Sequence, residues 1–164
     1  MYHKRQQKIL PYAPDDVFDL IMDVASYPRI FPMVKSARTL RPSPQGDEVE
    51  LVFSLPPLLP IKDPVHVARV RGHKPDWISA VRIKGPLKAM DLRWDLQPTP
   101  RGETHLSVQM DYDLSFGFLV NALAQRQIDD LVTQAMDRFA AYAAQQLTPV
   151  NSPAGPAGPG GPQP

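Results

Sequence analysis

The chain of 164 residues contains no cysteine. That excludes disulfides, thiolate catalysis and Cys-ligated zinc, and it fits a reducing compartment. It also lacks an excess of charge: 18 Lys and Arg stand against 17 Asp and Glu, a formal +1. No strong basic field recruits nucleic acid or an anionic membrane, so DNA is not an expected partner. No stretch approaches the roughly 18 apolar residues that span a bilayer. The opening M-Y-H-K-R-Q-Q-K carries charge with no apolar run behind it, so no signal peptide is expected. Together these absences predict a soluble, cytoplasmic domain. P-loop, dinucleotide fingerprint, HExxH and nucleophile elbow are all missing. The four histidines, His3, His66, His73 and His105, have no metal-ligand spacing. No catalytic residue, cofactor or metal is expected.

Proline and glycine are abundant in one place. Thr148 to Pro164 holds six prolines, four glycines and no charge. Such a segment buries too little surface to offset its ordering entropy, which predicts a disordered tail over 148–164 and a folded domain over 1–147. A single domain of that size can bury a sizeable core.

The strongest local signal is Asp15 to Met33. Pro14 suits a first helical turn, Asp15 and Asp16 complement the helix dipole, and Val17, Phe18, Ile21 and Met22 share one face. Pro28 is expected to stop that helix and to push Tyr27 into an extended conformation. Period-2 alternation follows. Val49, Leu51 and Phe53 form one row; Trp77, Ser79, Val81 and Ile83 another. Met90, Leu92, Trp94 and Leu96 alternate with Asp91, Arg93 and Asp95. Leu106, Val108, Met110, Tyr112 and Leu114 alternate with Ser107, Gln109, Asp111 and Asp113. These are strands with one wet face, hence an antiparallel sheet. Weaker strands are expected at Tyr2–Leu10 and Val34–Leu40. From about Val120 to Gln146 the apolar period becomes helical, predicting a helix roughly 40 Å long that crosses the sheet on one face.

Few residues here could carry chemistry. Asp91, Asp95, Asp111 and Asp113 share the wet face with Arg82 and Arg93, so cross-strand ion pairing is expected rather than acid/base work. His66, in V-H-V-A-R-V, could face either way. Leu51 to Ile61, L-V-F-S-L-P-P-L-L-P-I, has no charge, and its three prolines forbid helix or central strand for the later part. Its leucines could pack under the rim, form a lid over an apolar cavity, or touch lipid.

The order of elements and two motifs resemble the coenzyme Q-binding, START-like family of the polyketide cyclase/dehydrase superfamily. A helix ending in D-V-x-x-Y-P is met by Phe18, Leu20, Asp23, Val24, Tyr27, Pro28 and Pro32. A second motif, G-P-F-x-x-L-x-x-x-W-x-F-x-P, is similar to Gly85-Pro86-Leu87 through Met90, Trp94, Leu96 and Pro98. Aromatics of that pattern are replaced here by Ile30, Met33, Leu87 and Leu96. The resemblance implies an α+β helix-grip fold. Its parts are a curved antiparallel sheet of about six or seven strands, two short helices near the N-terminus and one long C-terminal helix over a lipophilic cavity. On that fold the expected cavity residues are Phe53, Val81, Met90, Trp94, Met110, Tyr112, Leu131, Ala135 and Phe139. His66 and Ser79 are the expected polar groups, and Leu55, Leu58 and Leu59 the lid. The resemblance further implies non-enzymatic binding of a polyprenyl quinone or another lipid, transient membrane contact and a role in quinone-dependent respiration. A polyketide cyclase/dehydratase and a toxin-like, ribosome-associated module remain alternatives, because fold alone does not choose among them.

Overall fold

Seven antiparallel strands and three helices make up the computed structural model, which describes residues 1–54 and 61–151. The strands are β1 (Tyr2–Leu10), β2 (Val34–Arg41), β3 (Asp47–Phe53), β4 (Val65–His73), β5 (Trp77–Lys84), β6 (Ala89–Pro98) and β7 (Thr104–Asp113). They form one sheet in the order β1-β7-β6-β5-β4-β3-β2. Each consecutive pair from β2 to β7 is a hairpin, and β1 closes against β7. Helices α1 (Pro14–Met22) and α2 (Tyr27–Ile30) sit between β1 and β2, and α3 (Phe118–Gln146) ends the domain. At 29 residues α3 is about 44 Å long, enough to cross the sheet. This is the helix-grip arrangement, with the sheet curved around one long helix.

Local sequence explains the elements. α1 begins at Pro14 with Asp15 and Asp16 in its first turn, and it buries Val17, Phe18, Leu20 and Ile21. Pro28 does not act as a stop. α1 has already ended at Met22, and Pro28 lies in the first turn of α2, where its missing N–H is not needed. Tyr27 is therefore right-handed helical (φ −56°, ψ −38°) rather than extended. Its hydroxyl donates to the Ile21 carbonyl at 2.6 Å and ties α2 back to α1.

The inner face of the sheet carries two apolar clusters. The larger joins α1 to Leu10, Ile78, Trp94, Leu96, Leu106 and the C-terminal half of α3 through Phe139 and Ala143. The smaller holds Tyr112, Leu114 and Ala124. Burying each of the large side chains contributes about 1.5–3 kcal/mol. The outer face carries ion pairs, Arg93 with Asp95 at 2.9 Å and Lys88 with Asp113 at 3.3 Å, and a hydrogen bond between His3 Nδ1 and the Asp111 carboxylate at 2.6 Å.

β5 departs from the expected alternation. Its inward row begins with Ile78, which is buried, while Val81 is 49 % exposed on the outer face. Trp77 also faces outward, where the Arg93 guanidinium lies 4.9 Å from its ring centroid. Arg82, expected among the outer charges, lines an outer groove with Arg69, Arg71 and Val81, while its charge reaches His66 and its guanidinium donates to the Gly85 carbonyl at 3.0 Å. After α3 the chain returns along the start of the domain. Val150 N–H donates to the Pro11 carbonyl at 2.9 Å, and the Asn151 amide to the Arg101 carbonyl at 3.1 Å. The rest of the expected tail lies outside the described residues.

Candidate functional site

Between the two clusters α3 stands off the sheet and leaves a cavity of about 270 Å³. That is near the lower end of ordinary ligand clefts, roughly 300–1,000 Å³. One wall is α3 from Val120 to Met136. Ala124, Ile128, Leu131, Val132, Ala135 and Met136 line it at the i, i+4, i+7 spacing of a single helical face. The opposite wall is the inner face of the sheet, with Leu51 and Phe53 on β3, Leu92 and Trp94 on β6, and Val108 and Met110 on β7. Tyr27, Phe31 and Met33 close one end. The β5–β6 connection supplies Pro86 and Leu87, the middle of the second sequence motif.

Of the expected cavity residues, Phe53, Met90, Trp94, Met110, Leu131, Ala135 and His66 line this space. Val81 and Ser79 do not, because β5 turns that row outward, into a groove shared with Arg69, Arg71 and Arg82. Tyr112 does not either. It is fully buried in the smaller cluster, stacked on Tyr2 with centroids 5.2 Å apart, and its hydroxyl donates to Asp129 at 3.0 Å. Burial, and then that bond, hold the phenol well above its ordinary pKa. Phe139 is also buried off the cavity, packed against Trp94 at 5.9 Å where α3 meets the sheet. The lid expected at Leu55, Leu58 and Leu59 falls outside the described residues. On either side of that segment, Phe53, Ile61 and Pro64 line the cavity.

Two amide side chains, Gln6 and Gln127, line the cavity in addition to the expected polar group His66. Each reads as solvated polar sequence, Gln6 in a basic edge strand and Gln127 in A-Q-R-Q-I-D-D. Gln127 does have a signal, since it lies three residues after Ala124 and four before Leu131 on the apolar stripe. With His66 these are the polar amide and imidazole side chains of the wall. The described lining residues include no Asp, Glu, Lys or Arg.

His66 is only 3 % exposed. Burial, and secondarily the nearby Arg82 charge, lower its pKa to about 4, so the imidazole is neutral near pH 7. Gly85 makes room for it. A Cβ there would lie 2.7 Å from His66 Nδ1, and the backbone φ of +153° is one that L side chains rarely adopt. The glycine of the second motif thus sets the position of the histidine. Chemically the site can enclose an apolar molecule and offer it a few neutral hydrogen-bonding groups. A group with pKa about 4 is a weak proton acceptor at neutral pH.

A curved antiparallel sheet closed on a long helix over an apolar cavity defines the helix-grip class. Residues 10–140 match the family described as "Polyketide cyclase / dehydrase and lipid transport", and the chain belongs to that family. Among curated proteins it is similar to the ribosome association toxin RatA of Rickettsia prowazekii (strain Madrid E), with 32 % identity over 95 residues. That match spans 58 % of this chain and 65 % of the relative, slightly under two thirds of its length. Solved structures share the fold. A START superfamily protein from Mycobacterium smegmatis gives a TM-score of 0.70 at 15 % identity, covering 88 % of this chain and 99 % of that one. The Zhui aromatase/cyclase from Streptomyces sp. R1128 gives 0.72 at 14 %, covering 88 % and 94 %. An 18 kDa protein from Caulobacter crescentus gives 0.67 at 24 %, covering 88 % and 97 %. Among the described residues no helix is long and apolar enough to cross a membrane.

Proposed function

We propose that this protein binds a hydrophobic small molecule, a polyprenyl quinone or another lipid, and holds it without changing it chemically. The observation that carries this reading is the cavity wall, which is predominantly apolar and bears no Asp, Glu, Lys or Arg among its described residues. Burying one CH₂ contributes about 0.8 kcal/mol, so two isoprenoid units supply roughly 8 kcal/mol before ordering costs. Access from a membrane suits the same face. Phe118 and Leu119 are 86 % and 80 % exposed at the start of α3, between Phe116 and Val120, which line the cavity. Exposed apolar side chains at a cavity edge are where a lipid surface would meet the protein.

The test is titration with quinones of graded tail length. Affinity is expected to rise with each added isoprenoid unit until the cavity is full, and then to level off. Equal affinity for tailless and tailed quinones would overturn the reading. A parallel incubation with a model polyketide addresses the cyclase alternative. No loss of water and no ring closure is expected, since His66 is neutral and a weak base. A product that disappears with His66→Ala would establish an enzyme instead.

The relative named a ribosome association toxin favours a second reading, a module that docks on a ribosomal subunit. The formal charge of +1 gives little electrostatic drive toward RNA. Co-sedimentation with ribosomal subunits at physiological salt separates the two readings. The binder reading predicts the protein in the supernatant.

A further inference from the structure

Three buried side-chain polar atoms lack a hydrogen-bond partner among the described residues; Arg82 Nε lies off the cavity, and the other two belong to walls of the same cavity. These two are His66 Nε2 on β4 and Gln127 Oε1 on α3. Buried polar atoms are almost always paired, and an unpaired one needs an explanation. Packing does not supply it. His66 lies against Phe53, at 6.4 Å between ring centroids, and against Gly85, where an apolar side chain would fit the surroundings as well. Gln127 interrupts the apolar face formed by Ala124, Ile128 and Leu131. A lone water is a poor answer, because an ordered buried water makes about three hydrogen bonds.

We infer that His66 and Gln127 together hold the polar head of the cavity's ligand, and that this head is an uncharged oxygen function, a carbonyl or a hydroxyl. Both atoms are covered by their neighbours. The outer torsions, χ2 of histidine and χ3 of glutamine, are broad and two-fold, so each side chain can turn a nitrogen or oxygen to the cavity without backbone movement. A neutral imidazole offers one N–H and one lone pair, and an amide offers both kinds of group. The pair therefore matches an oxygen that accepts from one side chain and, as a hydroxyl, donates to the other. An anionic head does not suit the site, because no lining side chain among the described residues carries positive charge and a buried unpaired ion is costly. The two residues stand on opposite walls, so the head is fixed between sheet and helix while the tail follows the apolar stripe of α3.

This inference rests on the proposed binding of a hydrophobic molecule, and the experiment separates the two. Dodecane, 2-dodecanone, dodecan-1-ol and dodecanoate are compared by displacement of an apolar fluorescent probe from the full chain. The ketone and the alcohol are expected to bind roughly tenfold more tightly than the alkane, about the factor that one good hydrogen bond supplies. His66→Leu and Gln127→Leu should each reduce that preference several-fold while leaving alkane binding unchanged or improved. If His66→Leu fails to fold, Gln127→Leu alone decides. Equal binding of alkane, ketone and alcohol would overturn the inference and leave the binding reading intact. So would a preference that survives in both variants, or a preference for dodecanoate. Failure of all four to displace the probe would overturn both.

Discussion

Ala135→Trp is expected to abolish binding of a long-tailed quinone, lowering affinity by more than 100-fold, while the protein still folds. Ala135 lies on the cavity-facing stripe of α3, between Leu131 and Phe139. An indole in place of its methyl group would occupy much of a cavity of about 270 Å³. The space it needs is already open, so the overpacking penalty, commonly about 1–3 kcal/mol in a filled core, should fall at the low end. Circular dichroism and a melting curve check the fold, and titration checks the binding. Leu131→Trp, one turn earlier on the same face, is the companion variant. Normal binding by both would mean that the ligand does not occupy this cavity.

Acidification should weaken the fold through His66. Its pKa is about 4 in the folded protein, against the ordinary 6.5, chiefly because burial disfavours the imidazolium. Between those two values the unfolded chain holds a proton that the folded protein does not. Stability therefore falls as pH drops through this window, by about 3 kcal/mol in all. His66→Leu should remove that component. Urea denaturation at pH 7 and pH 4.5 measures it. The wild type should lose about 2–3 kcal/mol more than the variant over that interval. Asp113, held below its ordinary pKa mainly by Lys88, acts below the window and equally in both proteins. Parallel losses in wild type and variant would show that His66 is not the responsible group.

How far the sequence revealed this molecule depended on whether a pattern had one solution. β1 was a weak signal: His3 to Lys8 are all polar, so Y-H-K-R-Q-Q-K-I-L carries no apolar alternation, although burial alternates along it in the structure. α3 was legible from the change of period. β5 was not. In W-I-S-A-V-R-I-K both rows mix apolar and polar side chains, so alternation gives a strand without saying which face is inward. Trp77 then takes the outer face, where Arg93 stacks on it. That choice moved Val81 and Ser79 out of the expected site. Tyr112 and Phe139 were assigned the correct inner face but lie in its packed parts. Periodicity names a face and is silent on where along it the helix lifts away. Gln127 was legible in principle, since its position on the stripe marks it as inward, yet composition makes a glutamine read as solvent-facing. Tyr27 escapes the general bias of a residue before proline because Pro28 lies in the first turn of a new helix.

The central claim is that the cavity under α3 holds a hydrophobic molecule. The most direct measurement is native mass spectrometry of the full chain purified gently from its own host, followed by organic extraction and identification of whatever is released. The account predicts a non-covalent adduct whose extracted component is an apolar-tailed molecule with an uncharged oxygen head, and the absence of that adduct from Ala135→Trp prepared in the same way. The account is contradicted if the wild-type protein carries no such adduct, or if Ala135→Trp carries the same adduct at the same occupancy.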